Sequence, residues 1–273
     1  MQTEAAARGF LRMRRRFAYL TPLVRSGDRA APRENGSMRT DPDEARARLS
    51  RAQLMLLFTP ELCLGRDPEG VLEALLPAID VVQLRPKAPL RNADGTPSLA
   101  PCPAAETWRW ARTALRLREK TGARVLVLVD DRVDVAKALQ DEGLDGVHLG
   151  QDDCPIEVAR AELGATALIG WSTHTLDQVV EGDELAVDYL GFGPVNATTT
   201  KGYARGLGAE PAWIASRATS KPVFPIGGID RENAQELARI GRAAVSSALL
   251  GAADPVGSAR ELRRLLEAPE DER

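Results

Sequence analysis

The sequence lacks the features that would assign this chain to a membrane, a disulfide scaffold or a nucleic acid. No apolar run approaches the roughly 20 residues of a membrane-spanning helix. Cys63, Cys102 and Cys154 make an odd count without metal-ligand spacing, which indicates reduced thiols in the cytoplasm. The net charge is only -3, so neither a nucleic-acid partner nor an anionic-membrane partner is indicated. Any anionic ligand must therefore be bound by a local pocket.

The first fifty residues differ in composition from the rest. Residues 8–16 read RGFLRMRRR, but the apolar stretch of about 7 to 15 residues that a signal peptide needs does not follow. A transit peptide would also be rich in arginine, although Glu4 and Asp28 count against it. We therefore predict a disordered extension over 1–50, with Met38 as a later start.

Short apolar runs alternate with helix-like stretches over residues 51–273. The runs are continuous, which is typical of parallel strands covered on both faces. Eight such units, with no room for a second domain, predict an α/β fold that is a single (β/α)8 TIM barrel. The predicted strands are 54–58, 79–84, 124–129, 145–149, 167–171, 187–192, 222–226 and 243–247. The predicted helices are 68–77, 105–120, 132–142, 155–163, 175–182, 210–218, 231–240 and 254–267.

One connection is unusually long. Residues 88–104 are rich in turn-forming residues and too polar for a regular element. The connection follows the second strand, on the face where barrel active sites lie. It is therefore either a lid or a solvated insertion.

Polar residues follow the predicted strands, where catalytic residues of barrels project. Gln83, Arg85 and Lys87 alternate at the end of the second strand and so point the same way. They form either an anion clamp or a solvated strand end. Asp131 and Asp153 follow the third and fourth strands. Carboxylates at adjacent strand ends suit Mg²⁺, although both residues also precede predicted helices and could serve as caps.

The loops after the last three strands combine hydroxyl groups, glycines and one cation. The loops after the seventh and eighth strands form the common phosphate site of barrels, built from backbone N–H groups. A glycine pair after one strand and hydroxyls after the next are hard to explain by packing alone. The residues concerned are Thr198, Thr199, Thr200, Lys201, Gly228, Ser246 and Ser247.

The chain has only two histidines. His148 lies inside the fourth strand, which predicts a hydrogen-bonded core or rim residue. His174 ends the fifth strand, where it could transfer a proton, cap a helix or orient a neighbour. No Ser–His–Asp spacing is evident.

The order of these motifs resembles that of the thiamin phosphate synthase family. The resemblance covers residues 54–260 and rests on eight motifs, each weak alone, at the ends of successive strands. They are QLRPK, DDRVDVA, DGVHLGQDD, GWSTHT, DYLGFGPV, TTTKG, PIGGI and the serine pair. We therefore expect a transferase of thiamin biosynthesis in this region.

The resemblance implies a reaction and a set of site residues. The family joins 4-amino-2-methyl-5-hydroxymethylpyrimidine diphosphate to 4-methyl-5-(2-phosphoethyl)thiazole, giving thiamin phosphate and diphosphate. The positions for the pyrimidine diphosphate correspond to Gln83, Leu84, Arg85, Pro86, Lys87, Asp130, Ser172 and Lys201. Those for the thiazole phosphate correspond to Thr198, Thr199, Thr200, Gly228, Ser246 and Ser247. Those for the Mg²⁺ cofactor correspond to Asp131 and Asp153, and the expected catalytic residues are Arg85, Lys87, Ser172 and Lys201.

The implied partners are small phosphorylated substrates, and a homo-oligomer is compatible with the sequence. The chemistry expected is a dissociative substitution, in which diphosphate leaves and the thiazole nitrogen attacks the resulting methylene cation. Mg²⁺ and the cations would neutralise the leaving group. No general base is needed, because the attacking nitrogen carries no proton.

Several positions depart from the family pattern. Pro86 stands where glutamate is usual, and Asp130 replaces an asparagine, so Asp130 must ligate metal, be protonated or point away. Trp171 replaces a small apolar residue and is expected to narrow the pocket. Asn196 and Ala197 replace an aromatic–proline pair. These changes are expected to affect affinity and substrate tolerance more than the class of reaction.

Three other functions remain open from the sequence. A thiazole tautomerase would share the barrel but typically lacks the second metal acid and the threonine–lysine run. A non-catalytic thiamin-phosphate-binding protein would account for Pro86 and Asp130. A sugar-phosphate epimerase would account for the last two loops but not for the clamp from Gln83 to Lys87.

Overall fold

The computed structural model describes residues 40–91, 97–197 and 206–267, with the backbone alone at 89–91, 97–99 and 101. The strands are β1 (Leu54–Phe58), β2 (Val81–Leu84), β3 (Lys87–Arg91), β4 (Pro97–Pro101), β5 (Leu126–Asp130), β6 (Gly146–Leu149), β7 (Leu168–Thr173), β8 (Tyr189–Phe192), β9 (Val223–Pro225) and β10 (Ala243–Val245). The helices are α1 (Pro42–Arg51), α2 (Pro68–Leu75), α3 (Ala104–Thr121), α4 (Val133–Leu139), α5 (Ile156–Leu163), α6 (Leu176–Glu184), α7 (Ala209–Arg217), α8 (Ser247–Leu250) and α9 (Pro255–Leu266).

Eight of these strands form one parallel sheet that curves into a barrel. Its order is β10-β1-β2-β5-β6-β7-β8-β9. A parallel bridge between Ile226 and Ala244 joins the two ends of the sheet. The predicted (β/α)8 barrel is therefore confirmed, and the eight predicted strands agree with the observed ones to within two residues at each end.

The barrel has two apolar layers because successive side chains of a strand point to opposite faces. One layer lies between the strands and the helices and includes Leu56, Leu84 and Trp171. The other fills the interior of the barrel. The interior residues are Met55, Leu57, Val81, Leu126, Leu128, Leu168, Tyr189, Phe224 and Ala244. The same alternation decides which polar residues at the strand ends face the interior.

Helix α1 closes the amino-terminal end of this interior. Its buried residues Ala45 and Leu49 belong to the interior layer. Asp41 caps the helix by accepting hydrogen bonds from two backbone N–H groups, and Pro42 occupies the first turn. The prediction of a disordered extension is therefore wrong for residues 42–50. The extension over 1–39 lies outside the described residues and stays a prediction.

Residues 88–104 are not the single irregular loop that we predicted. Strands β3 and β4 pair antiparallel, with Lys87 opposite Pro101 and Arg91 opposite Pro97. The prolines and turn residues concealed this hairpin, because a two-stranded ribbon outside the main sheet needs no apolar run. Its role as a lid stays a prediction.

The predicted helix 231–240 is also wrong. The structure has a single 3-10 turn there, Ala234–Leu237. The Asn233 side chain accepts a hydrogen bond from the Asp230 N–H at 3.0 Å and donates one to the Gly228 carbonyl at 2.8 Å. These bonds engage the backbone before a helix can start. The other predicted helices are present, although α4 ends three residues early in a further 3-10 turn.

A buried ion pair lies at the amino-terminal end of the barrel, away from the polar strand ends. The Arg118 guanidinium is 2.8 Å from the Asp145 carboxylate, and the side chains are 6% and 3% exposed. Burial raises the pKa of Asp145, and Arg118 opposes that rise. The same carboxylate accepts the Val127 N–H at 2.7 Å.

We expect Arg118→Met to lower the free energy of unfolding by about 3–5 kcal/mol, because it leaves the Asp145 charge buried without a partner. The matched control is Arg116→Met. Arg116 pairs with Glu69 at 2.6 Å on the surface, with the side chains 54% and 46% exposed, so its loss should cost less than about 1 kcal/mol. Urea titration measures both changes. Equal losses would contradict the assignment of stability to the buried pair.

None of the helices in the described ranges combines the length and the apolar character that a membrane crossing requires.

Candidate active site

Four polar side chains face the barrel interior near the carboxyl ends of the strands. Gln83, Asp130 and Ser172 each lie an even number of residues from an inward-facing position of the same strand, and His148 lies between Val147 and Leu149 of the outer layer. The strand register places Asp130 opposite His148. The alternation of the strands therefore gathers these groups at the inner end of one cleft.

Asp130 lies at the centre of a cluster of cations. It accepts hydrogen bonds from Gln83 Nε2, from Arg85 Nε at 2.9 Å and from Lys87 Nζ at 3.3 Å. Burial alone would raise the pKa of Asp130, but Arg85 and Lys87 hold it below its ordinary value. Asp130 therefore neither points away from the cations nor, with its pKa lowered, favours the protonated form, while metal ligation by Asp130 stays a prediction. Asp130 is an ionised internal counterion of the predicted clamp.

Asp131 has an unusual backbone and an unusual carboxyl group. Its φ is 62°, in the left-handed region that few residues other than glycine, asparagine and aspartate adopt, and its N–H donates to the His148 carbonyl at 2.8 Å. Burial, followed by the Asp130 charge and by Asp153, raises the pKa of Asp131 to about 7. Asp153 accepts the Gly150 N–H at 2.7 Å. Two carboxyl groups thus meet where a cation would be stabilised.

A cavity of about 440 Å³ opens beside this cluster. Its wall includes Arg85 and Ser172 on one side and the loops after β8, β9 and β10 on the other. The lining residues of those loops include Gly193, Ala197, Gly227, Gly228, Ser246 and Ser247. A second space of about 30 Å³ lies deeper in the barrel and is lined by Asp130, His148 and Tyr189.

The loop after β9 is held in a shape that only glycine suits. Gly227 and Gly228 have φ values of 101° and 61°, and a Cβ at Gly228 would collide with the Ala197 carbonyl. The Gly228 carbonyl accepts hydrogen bonds from Asn196 Nδ2 at 3.3 Å and from Asn233 Nδ2 at 2.8 Å. Both hydrogen bonds hold the Gly228 carbonyl on the side of Asn196 and Asn233. The glycine-rich backbone itself lines the cavity, as the backbone of a phosphate-binding loop does.

The two serines of the last strand have different surroundings. Ser246 donates its hydroxyl to the Leu57 carbonyl at 2.8 Å, so it ties β10 to β1. Ser247 is exposed and begins helix α8. The predicted eighth strand was therefore two residues too long, because the chain turns into a helix at this serine.

The two histidines differ in place and role, since His174 lines the cavity and His148 lines the deeper space. His174 Nδ1 lies 2.5 Å from the Gly193 carbonyl, and its backbone N–H donates to Gln178 Oε1 at 2.7 Å. Since a carbonyl only accepts, Nδ1 carries the proton, and the ring is held as an orienting group in the cavity wall. His148 is buried, as predicted for a core residue, and bonds to Tyr189 and Ser172.

Three predicted positions are turned away from the cavity. Leu84 packs in the outer layer, and Pro86 is buried and lines neither space, so a substrate contact there would use the backbone. Trp171 also packs in the outer layer, close to Gly182. The expectation that Trp171 narrows the pocket is therefore wrong. Thr198, Thr199, Thr200 and Lys201 lie outside the described residues.

Two residues that adjoin the site were missed. Asn233 supports the glycine loop, and Tyr189 supports His148. Tyr189 begins β8 at an inward-facing position, in the run DYLGF. A hydroxyl in an otherwise apolar inward row was the available signal.

Comparison with known proteins identifies the family. The sequence model described as thiamine monophosphate synthase matches residues 54–249. A thiamine-phosphate synthase of Parasynechococcus marenigrum is 43% identical over 161 residues, which are 58% of this chain and 45% of that protein. One of Pyrococcus furiosus is 36% identical over 219 residues, which are 80% of this chain and 97% of that protein.

A solved structure agrees with these matches. The thiamine phosphate pyrophosphorylase of Pyrococcus furiosus aligns with a TM-score of 0.63 and 32% identity, over 81% of this chain and 96% of the other. The chain spans about half the length of some curated relatives, from 45% to 59%, and nearly all of others. The matched span is the barrel whose site is described above, and the chain belongs to the thiamine monophosphate synthase family.

Proposed function

We propose that this chain joins 4-amino-2-methyl-5-hydroxymethylpyrimidine diphosphate to 4-methyl-5-(2-phosphoethyl)thiazole, releasing diphosphate and forming thiamin phosphate. One observation carries the proposal within the family. A single cavity of about 440 Å³ has the Arg85 cation on one wall and the Gly227–Gly228 loop on another. Two anionic substrates that react with each other need two anion sites facing one space.

The cation wall suits a diphosphate. Arg85 and Lys87 carry two positive charges, and Asp130 neutralises one of them. The remaining charge can attract an anion without leaving two unpaired cations in the protein before the substrate binds. The predicted contributor Lys201 would add to this charge.

Mg²⁺ fits the residues present. In the described part of the chain no group of three or more His, Cys, Asp or Glu residues could hold a metal by itself. Asp131 and Asp153 form a pair, and Mg²⁺ commonly takes one or two protein carboxylates with water and phosphate oxygens. Burial first, and then the negative charges of Asp130 and Asp153, raise the pKa of Asp131, and a divalent cation would relieve the repulsion among these charges.

The proposed substitution needs no general base, because no proton has to be removed from either reacting atom. The bond between the methylene carbon and the diphosphate oxygen breaks, and both electrons leave with that oxygen. The lone pair of the thiazole nitrogen then forms the new bond to the carbon. Arg85, Lys87 and Ser172 hold the leaving oxygens, while the glycine loop and Ser247 fix the thiazole phosphate. Bound Mg²⁺ would supply further positive charge for the departing diphosphate.

A turnover assay tests the proposal. The full chain is mixed with both substrates and Mg²⁺, and thiamin phosphate is measured with and without EDTA. We expect product that depends on the metal. Binding of the thiazole phosphate without product would favour a tautomerase-like paralogue or a non-catalytic binder, and absence of both binding and product would reject the proposed substrates. A cytoplasmic location and a homo-oligomeric state stay predictions from the sequence.

A further inference from the structure

Three side chains form a hydrogen-bonded chain from the middle of the barrel to the cavity wall. The Tyr189 hydroxyl lies 2.9 Å from His148 Nδ1. His148 Nε2 lies 2.9 Å from Ser172 Oγ. Tyr189 is fully buried, His148 is 7% exposed, and Ser172 lines the cavity. Each member comes from a different strand, so the barrel itself fixes their spacing.

Two glycines make room for this chain. A Cβ at Gly170 would collide with the ring and hydroxyl of Tyr189. A Cβ at Gly191 would lie 3.3 Å from His148 Cε1. The neighbouring strands thus leave free the space that the two rings occupy, which is a close fit in a packed interior.

The direction of the hydrogen bonds follows from the need to satisfy buried donors. In the ranges that the structure describes, His148 Nδ1 is the single hydrogen-bond partner of the Tyr189 hydroxyl. Burial raises the pKa of Tyr189 well above its ordinary value, so the hydroxyl keeps its proton. An O–H group without an acceptor in the interior is costly. The hydroxyl therefore donates to Nδ1.

This direction determines the state of the other two groups. With Nδ1 accepting, neutral His148 carries its proton on Nε2 and donates it to Ser172 Oγ. The hydroxyl hydrogen of Ser172 is then directed away from the histidine. The Ser172 O–H group therefore points towards the cavity that this residue lines.

The geometry points to Tyr189 and His148 as positioning residues that make Ser172 a hydrogen-bond donor to the pyrimidine diphosphate. This inference rests on the proposed function for the identity of the acceptor. Without Tyr189, the imidazole could exchange tautomers and the serine could donate to Nε2 instead. Tyr189 and His148 then act through Ser172 and need not touch the substrate themselves.

The tautomer can be measured without any substrate. Because the chain contains only two histidines, ¹⁵N spectra of the full chain labelled at histidine give two pairs of imidazole signals, one Nδ1 and one Nε2 from each ring, and His174→Gln assigns the pairs. We expect His148 to be neutral and protonated on Nε2 in the wild type. Tyr189→Phe should move the Nδ1 and Nε2 signals towards a mixture of tautomers. A wild-type His148 protonated on Nδ1, or on both nitrogens, would overturn the inference.

A double-mutant cycle tests the consequence for catalysis. Ser172→Ala should lower kcat by about 10²–10³-fold. Tyr189→Phe should lower kcat about tenfold, because the serine still donates to the substrate part of the time, with KM for the thiazole phosphate unchanged. In the Ser172→Ala background, Tyr189→Phe should have no further effect. An equal loss in both backgrounds would mean that Tyr189 only supports the fold and would overturn the inference.

The ¹⁵N spectrum of His148 and the kinetic cycle together distinguish a failure of this inference from a failure of the proposed function. If the wild type shows no turnover, the proposed function fails, while the tautomer of His148 still decides whether the hydrogen-bonded chain is directed as stated. If Tyr189→Phe does not fold, the wild-type spectrum gives the same decision.

Discussion

Asp131→Asn is expected to lower Mg²⁺-dependent turnover by about 10³-fold, because it removes one of two carboxylates proposed to hold the metal and with it several kcal/mol of charge stabilisation. Asparagine is the informative replacement, since it tolerates the left-handed φ of 62° observed at this position. Alanine would add backbone strain to the loss of the ligand. The measurement is the rate of thiamin phosphate formation across a range of Mg²⁺ concentrations. Asp152→Asn, an exposed neighbour with the same charge change, is the control and should keep the wild-type rate.

The same variant should become more stable than the wild type at alkaline pH without metal. The pKa of Asp131 is about 7 in the folded chain against an ordinary value of 3.8. The folded state therefore holds more protons than the unfolded state between about pH 4 and pH 7, and this group lowers stability as pH rises through that window. Asparagine does not titrate. The melting temperature of Asp131→Asn relative to the wild type should therefore rise from about pH 4 to pH 8.

Mg²⁺ should reverse this order of stability, so that at alkaline pH the wild type melts at a higher temperature than Asp131→Asn. A ligand that binds only the folded state stabilises it, so Mg²⁺ should raise the melting temperature of the wild type at about pH 8 and leave that of Asp131→Asn unchanged. A variant that retains full activity and still responds to Mg²⁺ would refute the assignment of Asp131 as a metal ligand.

Arg85→Ala is expected to lower turnover by at least about 10²-fold, because Arg85 is a charged donor at the proposed position of the leaving diphosphate. It should also lower the free energy of unfolding by about 3 kcal/mol, because it leaves the Asp130 carboxylate, 9% exposed, with Lys87 as its remaining cation. Kinetic assays and urea titration measure the two effects separately.

Adding Asp130→Asn to the Arg85→Ala variant separates the effect on turnover from the effect on the free energy of unfolding. The double variant Arg85→Ala/Asp130→Asn has no carboxylate to leave unpaired, so it should recover most of the lost stability. Its activity should stay low, since the donor to diphosphate is still missing. Recovery of activity together with stability would mean that Arg85 serves mainly as the counterion of Asp130, and would remove it from the catalytic set.

The parts of the fold that follow from the periodicity of apolar residues were predictable. Eight continuous apolar runs predicted the strands to within two residues, and the order of polar groups predicted which end of the barrel bears the site. The inward direction of Asp130 and Ser172, and the outward direction of Trp171, also follow from a period of two. Trp171 is one residue from Ser172 and therefore faces the helices, so it does not narrow the pocket.

Features that depend on contacts between distant segments were not predictable. Helix α1 has only two residues, Ala45 and Leu49, buried against the barrel, so its apolar pattern is faint and its stability comes from tertiary packing. The one local signal for this helix is the D-P-D-E run at 41–44, which supplies the capping aspartate and the proline of the first turn. Asp130 pairs with Arg85 across neighbouring strands, and its charge state could not be read from the residue itself, because the cations that lower its pKa are brought there by the fold.

Helix α1 also limits access to the interior of the barrel, because it covers the amino-terminal end. Arg242 donates to the Leu49 and Ala52 carbonyls, and Arg46 pairs with Asp188 at 2.8 Å, so the helix is fastened to the strands on two sides. Among the residues that the structure describes, the barrel is therefore open at the carboxyl ends of its strands and covered by α1 at the other end. The proposed substrates would enter, and the products would leave, through that opening. Each cycle of the proposed reaction would have to empty the cavity through the same opening that fills it, so the order in which the products depart would depend on the barrel and on the helix that closes its base.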